Sequence, residues 1–405
     1  MSRIDDLIRD LCPNGVEHKT LGEVGEFIRG SGIKKSDFIK QGYPCIHYGQ
    51  IHTHYGISAA ETISYISPEQ AIRLRKAQPG DLIIATTSED DDAVGKATAW
   101  LGTTPVAVGG DSFIFRHSMD PKYVSYFFSS TAFSQQKQPH LTGAKVRRIA
   151  ASSLSKIVIP TPPIEVQQEV AGALDKFTQL EAELEAELEA RQHQYTYYRD
   201  ILVAPHNSSQ LVKLGAVSRI ARGASPRPIR QFITDSTGVP WIKIGDVPPG
   251  GKHITSTVQH ISEDGATRSR RIKPGDFVLS NSMSFGRPFI SKIDGCIHDG
   301  WLVISDYEKT FDQDFLYHVL RSSPVQKDFT QRAGSGTVRN LNSTIVGETL
   351  VPAPPIDQQR NIVDLLDKFD LLVNDLTSGL PAEIEARRKQ YEYYRDRLLT
   401  FPEKK

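Results

Sequence analysis

The sequence predicts an α+β protein: two globular mixed α/β modules separated by two long matched helices that pair as an antiparallel coiled coil, the whole forming a pseudo-twofold internal repeat. Three observations predict it. The 405-residue length asks for two or three domains at roughly 150 residues each. The chain is written twice. Each copy ends in a long stretch with apolar residues every three or four positions.

The repeat comes first, because missing it would misassign the architecture. LGEVGEFIRG from Leu21 recurs as LGAVSRIARG from Leu214, and GYPCIHYGQI from Gly42 as GVPWIKIGDV from Gly238. KAQPGDLIIA from Lys76 matches RIKPGDFVLS from Arg271, and VIPTPPIEVQQ from Val158 matches LVPAPPIDQQR from Leu350. The closing match sets RQHQYTYYRDIL from Arg191 against RKQYEYYRDRLL from Arg388. Order is preserved throughout, so each half is a module followed by a helix.

Within the modules, β-rich runs at Asp81 to Ala85, Ser112 to Phe115, Asp276 to Ser280 and Trp301 to Ile304 are bounded by Gly, Pro and Asp. The shared Pro-Gly-Asp (Pro79 to Asp81, Pro274 to Asp276) suits a tight turn entering a strand, since glycine tolerates positive φ. Prolines at Ile159 to Pro163 and Val351 to Pro355 stop the following helix from extending backward.

From Val166 the positions Val170, Ala173, Phe177, Leu180, Leu184, Leu188, Tyr195, Tyr198 and Leu202 mark one face of a helix about 50 Å long. The second copy repeats this with Ile362, Leu365, Phe369, Leu372, Leu376, Leu380, Ile384, Tyr391, Tyr394 and Leu398. An apolar seam of that length is covered most economically by the other copy. Phe177, Leu180, Leu184 and Leu188 are therefore expected to pair with Phe369, Leu372, Leu376 and Leu380. The alternative is that each helix caps its own module. Gly379-Leu380-Pro381 interrupts the second helix, which is expected to kink or break there.

With 39% hydrophobic and 24% charged residues the chain has a globular composition, and 48 basic side chains cancel 48 acidic ones. Charge is segregated, however. Residues 1–160 are net +2 and 206–352 net +5, whereas 161–205 are net −6 and 353–405 net −1. Basic modules suit a polyanion and acidic helices suit protein. The candidate residues for contacting such a polyanion are Arg29, Lys34, Lys35, Arg73, Arg75, Lys76, Lys145, Arg147 and Arg148 in the first module. In the second they are Arg222, Arg227, Arg230, Arg268, Arg270, Arg271, Arg287, Arg332 and Arg339. A solvated surface charge competes at each position, and clustering on matching repeat segments strengthens the set as a whole.

Three cysteines, Cys12, Cys45 and Cys296, lie far apart without a CxxC pair, against both a disulfide framework and a thiolate zinc site. The N-terminal stretch lacks a signal-peptide core and no run is long enough to span a bilayer, so a cytoplasmic protein with no membrane role is expected.

Two divergent modules alternating with similar helices, PPIEVQQEV and PPIDQQRNI opening those helices and YYRDIL and YYRDRLL closing them, resemble the specificity subunit of type I restriction-modification systems. The resemblance covers nearly the whole chain. It implies two target recognition domains, 1–160 and 206–352, each reading one half of a split double-stranded DNA target. It also implies a central spacer helix, 161–205, and a C-terminal helix, 353–405. The helices would set the spacing and dock two modification (methyltransferase) subunits and, where the system restricts, two restriction (translocase/nuclease) subunits. The stretches Gln50 to Arg75 and Val247 to Arg271 do not visibly match, as two readers of different half-sites require.

Leu180 to Ala190 reads LEAELEAELEA, and in this family such repeats resemble a ruler. Four helical residues advance about 6 Å and rotate roughly 40° beyond a turn, close to the roughly 35° of one base pair. Good helix formers would give the same composition without that role. Tyr195, Tyr198, Arg199, Tyr391, Tyr394 and Arg395 form a recurring partner surface or else pack the helix ends.

No cofactor-binding glycine motif for a methyltransferase and no P-loop is evident. The acidic run Glu89 to Asp92 has no acidic counterpart at Ser282 to Gly286, which favours a solvated loop over a shared nuclease centre. His47, His52 and His54 lack a supporting second cluster, so no metal site is assigned. The expectation is a non-catalytic DNA-reading subunit without a cofactor of its own, S-adenosylmethionine, ATP and Mg²⁺ belonging to its partners. The competing class is a protein-binding coiled-coil scaffold with two repeated interaction modules and no DNA role.

Overall fold

The computed structural model describes residues 3–205, 210–235, 237–247, 251–281, 285–334, 340–374 and 379–404. The chain divides into two compact units, Met1–Ala182 with Ala386–Lys405, and Glu183–Glu385. Both cuts fall inside the helices, so each helix contributes its two ends to different units.

The two modules share one strand plan. In the first unit a five-stranded sheet runs Gly25–Arg29, Ser112–His117, Leu82–Ala85, Ala97–Trp100, Ser58–Ala59. Its counterpart in the second runs Arg219–Arg222, Trp301–Ser305, Phe277–Ser280, Pro288–Ser291, His253–Ile254. In both, the last pairing is parallel and the others antiparallel. A second sheet orders Ser64–Ile66, Tyr43–Ile46, Val106–Val108 and Lys76–Ala77 in the first unit. In the second, Gln259–Ile261, Val239–Ile242, Gly295–Ile297 and Arg270–Ile272 follow the same order, with Ile233–Thr234 added at one edge.

The repeated Pro-Gly-Asp is the turn that the sequence predicts. Gly80 and Gly275 have φ of +95° and +97°. Each following aspartate closes the turn, Asp81 accepting from the Gln78 N–H at 2.8 Å and Asp276 from that of Lys273 at 2.9 Å.

A 39-residue helix spans Ile164–Leu202, beginning directly after Pro162 and Pro163. A glutamine at the end of its first turn explains why PPIxxQ recurs. The buried Gln167 side chain accepts from the Asp120 N–H at 2.8 Å and donates to the Pro162 carbonyl at 2.7 Å. Gln359 likewise accepts from the Asp312 N–H at 2.8 Å and donates to the Pro354 carbonyl at 2.7 Å. Each glutamine ties the opening of a helix to its own module.

The alternative weighed from the sequence, capping by the modules, accounts for the ends of the helices. The opening turns cap their own module: Val166, Val170 and Leu174 enter the core of the first unit, and Val363 and Leu366 that of the second. The closing turns enter the other repeat's core. Leu399 and Phe401 are buried in the first unit, and Tyr195 and Val203 in the second. Each such apolar side chain contributes roughly 1.5–3 kcal/mol. A bridge between Val16 and Glu403 and an ion pair from Lys404 to Glu17 at 3.3 Å fasten the last residues to the first module.

Helix contacts differ in detail from the expected seam. In the first unit Phe177 stacks on Tyr394, and Arg388 pairs with Glu181 at 2.6 Å, so the two stretches run in opposite directions. Leu184, Leu188, Phe369 and Leu380 are half-buried. Leu180 and Leu372, expected in the seam, are 49% and 41% exposed. Leucines spaced four apart turn roughly 40° around the axis at each step and so cannot keep to one stripe. Leu376 lies outside the described residues. The second helix comprises two segments, Ile356–Asn374 and Leu380–Leu398. The Gly379 carbonyl accepts from the N–H groups of Ala382 and Glu383, a fresh helical start beside Pro381. No helix among the described residues is long and apolar enough to cross a membrane.

Candidate nucleic-acid interface

In each module one edge strand, Gly25–Arg29 in the first and Arg219–Arg222 in the second, ends in an arginine followed by a glycine. Gly30 N–H donates to the Ser112 carbonyl at 2.9 Å, and Gly223 N–H to that of Trp301 at 2.8 Å. A Cβ at either glycine would collide with a neighbouring carbonyl oxygen, of Gly109 or His298 respectively. Only glycine lets the backbones approach this closely, and that fixes the position of the preceding arginine.

Arg29 Nε donates to the Gly110 carbonyl at 3.4 Å, and Arg222 Nε to that of Asp299 at 3.1 Å. A second arginine, from the sequence leading into the other sheet's edge strand or from that strand itself, then binds the first arginine's own carbonyl. Arg75 donates to the Arg29 carbonyl at 2.6 Å, and Arg270 Nε to that of Arg222 at 3.2 Å. Each module thus carries a bracket of two guanidiniums joining the edges of its two sheets. The Nε bond of Arg29 or Arg222 occupies one of five donors on a planar fork suited to phosphate.

The other basic candidates divide by their partners. Lys34, Lys35, Arg73, Lys145, Arg148, Arg227 and Arg230 are exposed. Arg147 is taken up by Asp91 at 2.6 Å, Arg268 by Asp264 at 3.3 Å, Arg332 by Asp328 at 2.8 Å, and Arg271 by Glu263. Arg287 lies over the Phe289 ring and Lys76 over Tyr43, packing within their own modules. Arg339 lies outside the described residues.

The six residues considered as a partner surface are largely spent inside the units. Tyr195 is buried and donates to His318 Nδ1 at 3.2 Å, with the Arg199 guanidinium 5.5 Å from its ring. Arg395 lies 5.7 Å from the Tyr391 ring, while Tyr394 stacks on Phe177 and Tyr198 meets Phe369 at a tilt. Tyrosine's apolar body makes it a good closure for a helix end. Of the six, Tyr198 stays exposed, alongside its neighbour Tyr197 and the equivalent Tyr393.

Asp200 and Asp396, next to the arginines, accept from the N–H of Ser323 and Thr131, each at 3.0 Å. Thr131 also helps to line a cavity of about 710 Å³ in the first unit. At its floor, burial lowers the pKa of Lys96 and Lys137, and Lys137 Nζ donates to the carbonyls of Asp92 and Val94 at 2.7 Å.

The three histidines do not converge. His47 Nδ1 accepts from the Gly49 N–H at 3.2 Å, His52 Nε2 donates to the Thr87 carbonyl at 3.0 Å, and His54 packs on Tyr55. In the acidic run Asp91 pairs with Arg147 as above. Its repeat counterpart includes residues 282–284, outside the described residues. Among the described residues no group of three or more His, Cys, Asp or Glu is placed to hold a metal ion.

Sequence reasoning missed the residues that aim these arginines. Asp299, an acid in a basic module, and Asn281, whose Nδ2 donates to the Asp299 carbonyl at 2.9 Å, carry no local motif. The only signal is the repeated Arg-Gly that closes the two matching strings.

Residues 13–190 and 207–386 each match the family model described as type I restriction modification DNA specificity domain. The chain is 31% identical over 293 residues to the EcoR124I/EcoR124II specificity subunit of Escherichia coli, covering 69% of this chain and 71% of that one. It is 30% identical over 321 residues to a putative type I restriction enzyme specificity subunit of Haemophilus influenzae, covering 76% and 78%. Among solved structures, a chain from a study of complex assembly in a type I restriction-modification system superposes with a TM-score of 0.63 at 16% identity, covering 96% of this chain and 98% of that one. The HsdS subunit of Thermoanaerobacter tengcongensis gives 0.50 at 16% identity, with 96% and 97% covered. At such identities the two structures speak for the fold alone.

Proposed function

Since the chain belongs to the family of type I restriction-modification specificity subunits, we propose that its two modules read the two halves of a bipartite, asymmetric DNA target while the helices set the distance between them. The observation that carries this reading is the arginine bracket, built twice from matching positions in modules whose remaining exposed basic residues differ. Brackets common to both modules suit the sugar-phosphate backbone, which is the same in any sequence. Loops that differ suit the bases.

In this reading the chain is non-catalytic and holds no cofactor. Two modification subunits dock on it and contribute S-adenosylmethionine-dependent methylation, and where the system restricts, two restriction subunits add ATP- and Mg²⁺-dependent translocation and cleavage. The work is done in the cytoplasm on double-stranded DNA.

The test is to assemble the chain with its modification subunits and map methylated sites in cells with and without it. A single two-part motif with a fixed spacer is the expected result. Binding that is insensitive to salt and shared equally by unrelated duplexes would overturn the reading and favour a protein scaffold.

A further inference from the structure

We propose that Arg227, braced by Asp299, is a base-reading residue of the second module and contacts a guanine of its half-site. The assignment rests on the DNA-reading role proposed above and deepens it.

Arg227 is held toward solvent on a stiff loop. Its side chain is 84% exposed, and prolines 226 and 228 flank it, each fixing φ and so reducing the freedom lost on binding. Its Nη2 lies 3.6 Å from Asp299 Oδ2, close enough to be oriented by the charge and too far to be saturated by a hydrogen bond.

Asp299 is itself anchored on several sides. Its carbonyl accepts from Arg222 Nε at 3.1 Å and from Asn281 Nδ2 at 2.9 Å. Its carboxylate accepts from Ser225 Oγ at 2.7 Å, and its own N–H donates to the same oxygen at 3.3 Å. The Ser225 hydroxyl holds this carboxyl below its ordinary pKa, so it stays ionised.

The carboxylate decides between phosphate and base. A phosphate brought to Arg227 would meet the negative charge of Asp299 within a few ångströms, and that repulsion would cost much of what the guanidinium contributes. A neutral base edge carries no such penalty. Guanine presents O6 and N7 in the spacing of two parallel guanidinium N–H groups, and a carboxylate behind the arginine holds the fork in register with them. Arg222 donates to the Asp299 carbonyl and makes no ion pair with a carboxylate among the described residues, which leaves it suited to phosphate.

Beside Arg227 lies a cavity of about 980 Å³ bordered by Trp241, Lys243 and Gln259. The Gln259 Oε1 atom is buried without a hydrogen-bond partner among the described residues.

The first module lacks this device. Counting from Gly30 and Gly223, Lys34 stands where the second module has Arg227; counting back from Ser112 and Trp301, whose carbonyls accept from those glycines, Gly110 stands where it has Asp299. Two half-sites of different sequence require readers that differ in this way.

The experiment uses the assembled complex with its modification subunits, reading out methylated motifs in cells and binding to duplexes with single-position changes. Arg227→Ala should lower discrimination at one G·C pair of the second half-site by about 10- to 100-fold, with the first half-site unchanged. Asp299→Asn should loosen the same position less.

An unchanged motif with uniformly weaker binding would make Arg227 a phosphate contact and overturn the proposal, as would a second half-site without any G·C pair. Should Arg227→Ala fail to assemble, Arg227→Met keeps the length without any donor, and full discrimination in that variant would equally overturn it. A wild-type complex with no sequence preference would instead sink the DNA-reading role on which the assignment stands.

Discussion

Phe177 stacks on Tyr394 with ring centroids 5.4 Å apart, and the repeat-related pair Phe369 and Tyr198 meets at 5.8 Å. In each unit, then, the opening half of one helix is joined to the closing half of the other repeat's helix by the same aromatic contact. A double-mutant cycle of Phe177→Ala and Tyr394→Ala on the whole chain should give a coupling of about 1 kcal/mol by denaturant unfolding. Strict additivity of the two losses would mean that the rings touch without stabilising the pairing.

The buried glutamines at the helix openings should be costly to remove. Gln359→Ala strips the Asp312 N–H of its acceptor and leaves the Pro354 carbonyl without this donor, for a loss of roughly 2–4 kcal/mol. Equilibrium unfolding would detect it as a lower midpoint. Gln167→Ala should behave alike in the first unit, and a loss under roughly 0.5 kcal/mol at both sites would refute the tie between helix and module.

The arginine brackets make a claim about salt. Arg29→Ala or Arg222→Ala should weaken binding to all duplexes by a similar factor and reduce the slope of log affinity against log salt by about one. Titrations at several ionic strengths measure both quantities. A change confined to one base pair would reassign the arginine to base reading.

His117 predicts a response to acid. Burial pushes its pKa down to about 4, below its ordinary value, and its Nδ1 accepts from the Met119 N–H at 3.2 Å. The folded chain therefore favours the neutral ring, while the unfolded chain takes up a proton below roughly pH 6.5. Stability is complete above that pH and is lost as pH falls from about 6.5 toward 4, at about 1.4 kcal/mol per pH unit at most. The melting temperature of the chain should drop across that window, and His117→Gln should flatten the drop. An identical pH profile in the variant would assign the acid response elsewhere.

Deleting Glu181 to Leu184 should shorten the preferred spacer between half-sites by about one base pair while the fold survives. The tetrapeptide repeat brings Glu185 into the place of Glu181, so the partner of Arg388 is restored. Binding to duplexes of graded spacer length reads the shift, and an unchanged optimum at normal stability would remove the ruler.

Much of this was legible in the sequence because repeated strings must make the same contacts twice. Pro79-Gly80-Asp81 and Pro274-Gly275-Asp276 mark equivalent turns, and the two PPI strings mark equivalent helix openings. Arg29 and Arg222 stood among the candidates for the same reason. Periodicity failed at Leu180 and Leu372, since it reports that a helix has an apolar side without saying what covers each turn. It also could not show that Leu399 and Phe401 belong to the first core, because contacts between distant segments leave no local pattern. Asp299 escaped because a search for cations passes over the acids that aim them.

The contribution of Ala386–Lys405 to the unit begun by Met1–Ala182 bears on how the chain is made. The second unit is one continuous run and can close as soon as it has left the ribosome. The first must wait for about two hundred further residues, on the order of 10–40 s of synthesis, with a gap where Leu399 and Phe401 will sit. The half translated first is completed last, and during that interval its unfilled core is the part of the nascent chain most in need of a chaperone.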